Sequence, residues 1–185
     1  MFICGFPFLF TYSRSIKYTT AEFISTRTAG QLSKFLMKVV YGYVRGGFVV
    51  NFMLMDMEFL KIKDVLPMVE VDTTAAQEHF TEIERRIRTI KERVRSVTSD
   101  FPFNPVPMLV LVQTVYKICI WLNAIRSLSG MDRRLPPREL VTGREVDYNK
   151  DCRADLGAYI QASKDKVVTN NNTRCTRECM VYCRL

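Results

Sequence analysis

The stretch "EHFTEIERRIRTIKERVRS", residues 78–96, decides how the rest of the chain is read. Phe80, Ile83, Ile87, Ile90, Val94 and Val97 recur at steps of three and four. That spacing predicts an amphipathic helix of about five turns, with one apolar seam turned toward a core. The remaining faces are crowded with bases: Arg85, Arg86, Arg88, Lys91, Arg93 and Arg95. One carboxylate, Glu84, stands at the head of the cluster, beside Ile83 and near Ile87. From that position it is expected to face the core rather than water. Two uses are open for it: an i,i+4 ion pair with Arg88, or a metal ligand beside phosphate-binding bases.

The period of the sequence changes on either side of this helix. Upstream, residues 1–13 read as two short apolar strands around Gly5 and Pro7, and "IKYTTAEFI" (16–24) as a third, together a meander. In "STRTAGQLSKFLMKVVYGYVRGG", Leu32, Phe35, Leu36, Val39, Val40 and Tyr43 share one helical face. Thr28 is placed to cap that helix and Gly46-Gly47 to stop it. "FVVNFMLM" (48–55) has strand length and no polar alternation, so it is expected to be a central strand buried on both faces. A short helical turn over 59–66 and a short strand near Val69–Val71 follow. Downstream, the prolines of "DFPFNPVP" (100–107) end the basic helix. "PMLVLVQTVYKICIWLNAI" then opens an apolar helix over 107–128. Gln113, Lys117 and Asn123 interrupt it, and polar groups at mid-span favour a buried helix over a membrane span.

This order of elements predicts an α/β fold, a mixed sheet flanked by helices. Three antiparallel strands lead through a crossover helix to a fourth strand, placed beside the first and parallel to it by a right-handed crossover. Asp56 stands at the carboxyl end of that fourth strand, where such sheets carry ligand sites. The alternative for Asp56 is a plain turn residue.

At 185 residues, 48% of them hydrophobic, the chain can bury a real core, which excludes a disordered class. The net charge of +8 points to a polyanionic partner, either nucleic acid or an anionic membrane surface. "MFICGFPFLF" lacks the basic start and cleavage signature of a secretory leader, so a nuclear or cytoplasmic location is expected. A single histidine, His79, reads as helping to start the basic helix and leaves no Cys/His or Ser/His/Asp triad to argue. Trp121 reads as core. Arg133, Arg134, Arg138 and Arg144 form a second basic cluster. Cys175, Cys179 and Cys183 are spaced C-x3-C-x3-C, one face of a helix, with Cys152 the one nearby candidate for a fourth zinc ligand.

Three segments carry a family resemblance. "TTAAQEHFTEIERRIRTIKERVR", "LMDMEF" and "WLNAIRS…LPPRELVTG…DYN" are similar to the integrase region of copia-type retrotransposon polyproteins, over roughly residues 1–165. The resemblance implies the RNase H-like fold of DDE integrases. It implies Mg²⁺- or Mn²⁺-dependent end processing and strand transfer on DNA, with Asp56 and Glu84 as the second and third catalytic, metal-binding acids. Arg85, Arg88, Lys91 and Arg95 then become DNA-binding residues, in a chain that could work as a homo-oligomer. The spacing from Asp56 to Glu84 is short for the family, which keeps Glu58 open as a substitute. The family's first catalytic aspartate would fall just before "MFICGFPF", so a truncated and catalytically impaired core is expected. A non-catalytic nucleic-acid-binding or assembly module of the same origin is the alternative. Expected boundaries are an integrase-like core over 1–128, an extension over 129–165 and a divergent tail over 166–185.

Overall fold

The computed structural model describes residues 1–57, 59, 61–62, 69–73, 81–102, 104–151, 159–163 and 175–180. The meander comes first: β1 (Phe2–Ile3), β2 (Phe6–Tyr12) and β3 (Thr19–Phe23) pair in that order, each antiparallel to the next. Cys4 and Gly5 join β1 to β2 with φ of 48° and 84°. Both values are positive, as a two-residue hairpin turn matching the strand twist requires. β2 uses its alternation in both directions. Phe8 packs with Ile90, Val94, Leu111 and Val115 on one face of the sheet, while Leu9 packs with Phe35, Leu36 and Val39 on the other. On the ladder between β2 and β3, opposed Thr11 and Thr20 share a hydroxyl hydrogen bond of 2.6 Å.

Helix α1 (Ala29–Arg45) buries the expected face, Leu32, Phe35, Leu36, Val39 and Tyr43. Thr28 occupies the N-cap position with extended backbone, but its side chain makes no capping bond. The stop is set by close approach as well as by conformation. A Cβ on Gly46 would overlap the Val141 carbonyl of α4 (Pro137–Thr142), while Gly47 takes a φ of 80°. Glycine at 46 therefore lets the end of α1 lie directly on the later helix.

The fourth strand differs from its expectation. β4 is confined to Phe52–Met55, with Phe52 exposed and only Met55 buried, so it is not a strand buried on both faces. It runs parallel to β5 (Glu70–Thr73), and among the described residues no ladder joins it to β1. β1 is only two residues long, which leaves little edge for a further ladder beside its pairing with β2. A 3₁₀ turn follows β4, and β5 falls where a short strand was expected.

Helices α2 (Thr81–Ser99) and α3 (Met108–Ala124) cover the second face of the meander. α3 is shorter than its apolar run, since Ile125 turns extended and leaves Ile125 and Leu128 exposed. No described helix is long and apolar enough to cross a membrane. Of the polar interruptions in α3, Asn123 has a structural explanation. Asn123 is 4% exposed, accepts a hydrogen bond from Thr19 N (2.8 Å) and donates one to Thr19 O (2.7 Å). The side-chain amide thus satisfies both backbone groups of a buried strand residue. Trp121 is half-buried rather than deep core, and stacks on Tyr148, the first residue of α5 (Tyr148–Asp151). Within the segment read as an extension, Val141 packs into the cluster beneath α1. β6 (Tyr159–Ser163) pairs antiparallel with β7 (Cys175–Met180), so part of the segment read as an irregular tail is a strand. Cys175 and Cys179 consequently lie on a strand, not on a helix.

Replacing Asn123 with Ala should destabilise the protein by about 2–4 kcal/mol, since it strands a buried N–H and a buried C=O. Urea unfolding of the two proteins measures this; a loss no larger than that of an exposed-residue variant would show that the amide is not structural.

Candidate nucleic-acid interface

The basic helix is built to present one face and anchor another. Glu82 and Glu84 lie in the first turn of α2, where negative charge suits the helix dipole. Ile90 and Val94 are fully buried, and Ile83, Ile87 and Val97 are half-buried beside them. Arg86, counted from the sequence with the surface bases, is half-buried against the sheet. Its Nε donates to Thr19 Oγ1 (2.9 Å), a terminal nitrogen donates to the Leu122 carbonyl (3.3 Å), and its guanidinium lies 5.8 Å from the Tyr12 ring centre. Burial lowers the Arg86 pKa and Tyr12 opposes that shift, while an arginine starts far enough above neutrality to stay charged. Glu82 adds a second tether, reaching Arg14 (3.1 Å) and Lys17 (3.8 Å) in the turn between β2 and β3.

With Arg86 turned inward, the outward bases form an ordered row. Arg85, Arg88, Lys91 and Arg95 are all exposed. Arg88, Lys91 and Arg95 are three and four residues apart, so they line one stripe about 10 Å long at 1.5 Å per residue. Arg88 forms an i,i+4 pair with Glu92 (2.9 Å), not the pair with Glu84 considered from spacing. Its side chain is 81% exposed. Such a pair is worth only a few tenths of a kcal/mol and yields easily to a stronger anion.

The two acids stand differently. Glu84 is exposed, contrary to the expectation that it faces the core. One residue beyond Ile83 the helix has turned by about 100°, enough to carry the carboxylate off the seam. Asp56 directly follows β4, as expected, and is also exposed. Its Oδ1 accepts from Met57 N (2.8 Å) and its carbonyl accepts from Phe59 N (2.9 Å), so Asp56 caps the turn after the strand. Among the described residues no three His, Cys, Asp or Glu side chains converge tightly enough to hold a metal ion. A two-metal centre needs several carboxylates on one point, and the described donor set does not fit one. Glu58, His79, Cys152 and Cys183 lie outside the described residues.

The second basic cluster divides. Arg133 and Arg134 are exposed in the loop before α4, where Asp132 Oδ1 accepts from the backbone N–H groups of Arg134 and Leu135 (2.6 and 3.2 Å). Those bonds hold the Asp132 carboxyl below its ordinary pKa. Arg138 and Arg144 instead face a cavity shared with α1. The sequence offered no signal that Arg45, at the far end of α1, joins them there.

No protein-family model matches this sequence, and no curated protein matches it. Among solved structures, the chain is similar to the catalytic core domain of BIV integrase. The TM-score is 0.56 at 15% identity, over 77% of this chain and 90% of that one. The simian T-cell lymphotropic virus intasome, in complex with PP2A regulatory subunit B56 gamma, aligns at TM-score 0.45 and 11% identity, over 97% and 70% of the two chains. The first likeness establishes the fold: a mixed α/β, RNase H-like architecture of the integrase-core kind. The second is too loose to add to it.

Arg86→Ala should cost about 1–3 kcal/mol of stability, since the Thr19 hydroxyl and the Leu122 carbonyl lose a charged donor. Lys91→Ala and Arg95→Ala should stay within about 0.5 kcal/mol of the parent, as exposed positions do. Thermal unfolding of the three variants checks the division; equal effects would contradict it.

Proposed function

We propose that this chain is an integrase-core module of a copia-type retrotransposable element that binds duplex DNA through the outward face of α2. The observation that carries the reading is the exposed row Arg88, Lys91 and Arg95, with Arg85 beside it, on a helix fixed from behind by Arg86. A row of flexible cations on a rigid helix neutralises phosphates without reading bases, so binding should be tight at low salt and indifferent to sequence. The fold shared with an integrase core supports DNA as the polyanion, and the net charge of +8 suits it. The module would work in the nucleus or cytoplasm, as a homo-oligomer on element ends and target duplex.

A second reading keeps the chemistry. In it, Asp56 and Glu84 are two of the acids that bind Mg²⁺ or Mn²⁺ for strand transfer. Both acids are exposed and Asp56 is held in the turn after β4, which favours binding over catalysis, and a further carboxylate would have to complete the set.

Fluorescence anisotropy of a labelled duplex, followed across a salt series, tests the binding. Three phosphate contacts predict a log–log slope of about −3. The triple variant Arg88→Ala, Lys91→Ala, Arg95→Ala should flatten it toward zero. A slope unchanged by the triple variant would remove α2 from the interface.

A further inference from the structure

A cavity of about 530 Å³ opens between β3, α1, α3 and α4, with α2 playing no part in its lining. Its size lies in the range of small-molecule sites. Phe35, Val39, Tyr43 and Val141 form a buried floor, and Tyr18, Tyr116 and Ile120 extend the walls. Tyr18 and Tyr43 meet edge to face with ring centres 5.9 Å apart. Burial raises both phenol pKa values, so the hydroxyls remain protonated donors.

The charge around the cavity is mostly positive. Lys38, Arg45, Arg138 and Arg144 line the opening against a single carboxylate, Glu22. Lys38 already pairs with Glu22 at 3.4 Å. Among the described residues Arg45, Arg138 and Arg144 make no ion pair, which leaves three unpaired guanidinium groups in the lining of one cavity. The close approach of Gly46 to the Val141 carbonyl sets the end of α1 against α4, and Arg45, Arg138 and Arg144 line the same cavity. Arg138 is half-buried and acts on the Tyr18 hydroxyl, lowering its pKa against the larger effect of burial, so its charge reaches into the cavity.

We propose that this cavity binds a small organic phosphate, its flat apolar body against the tyrosines and its phosphate at Arg45, Arg138 and Arg144. Three arginines suit a dianion better than a carboxylate, and the guanidinium fork matches phosphate oxygens in pairs. The apolar floor requires a ligand with a body, which free phosphate lacks. The site is separate from the α2 row, so it stands whether or not that row binds DNA.

Calorimetric titration of the full chain with adenosine 5′-monophosphate tests it, with adenosine and inorganic phosphate as separate arms. Saturable binding of one nucleotide per chain is expected, with each half-ligand at least about tenfold weaker. Arg138→Ala, and independently the exposed Arg144→Ala should Arg138→Ala fail to fold, should weaken the nucleotide by about tenfold. Arg95→Ala on α2 should leave it unchanged. Absence of saturable binding overturns the proposal, as does equal weakening by Arg95→Ala, which would mean unspecific attraction to a basic protein. Inorganic phosphate binding as tightly as the nucleotide would overturn the role of the apolar floor.

Discussion

Thr19 is the residue on which the arrangement of this fold depends. It is 1% exposed, and its backbone N–H and C=O both belong to the Asn123 amide. Its hydroxyl accepts from Arg86, which also reaches the Leu122 carbonyl next to Asn123. One strand residue thus joins β3, α2 and α3 through hydrogen bonds whose failure would leave buried polar groups unpaired. Apolar packing alone would let α2 roll or slide on the sheet at little cost; a satisfied polar node allows one rotation and one register. That rotation turns Arg86 inward and the Arg88–Lys91–Arg95 row outward. The surface charge pattern is therefore a consequence of a buried contact.

The layered organisation follows from β2. Phe8 and Leu9 are adjacent in sequence and point to opposite faces, and each is nearly sealed from water. A strand with large apolar side chains on both faces needs a cover on both, which α1 supplies on one and the pair α2 and α3 on the other. The helix α4 then closes the α1 side through Val141, with Gly46 allowing the backbones to touch. The two surfaces argued for function share no residue. The α2 row sits outside the second layer, and the arginine-rimmed cavity sits where α1, α3 and α4 meet the edge strand β3.

Periodicity made most of the elements legible. The helical face of α1, the seam of α2, the two short strands around Gly5 and a short strand near Val69–Val71 all follow from spacing and turn chemistry that act locally. Position within the sheet was not legible. "FVVNFMLM" reads as central because it is apolar, yet four of its residues form the strand and one of those is exposed. Hydrophobicity records burial averaged over every neighbour, not which strand supplies the hydrogen bonds. Among the arginines of α2, sequence spacing alone gave Arg86 no distinction from Arg85. Its role is set by Thr19 and Leu122, which are distant in sequence, and no local pattern encodes that. Asn123 did carry a signal: an amide in an otherwise apolar helix face needs a buried partner. Glu84 shows the opposite failure, since nearness to Ile83 in sequence placed it beside the seam while a single helical step carried it into water.

The outward face of α2, oriented by the Thr19 node, is the proposed seat of DNA. Photocrosslinking a short duplex to the full chain and mapping the adducts by mass spectrometry tests this most directly. Adducts should concentrate on the exposed residues of the 85–95 segment and be lost when Arg88, Lys91 and Arg95 are replaced together. Adducts that instead fall on α1 and α4, and persist in the triple variant, would contradict it.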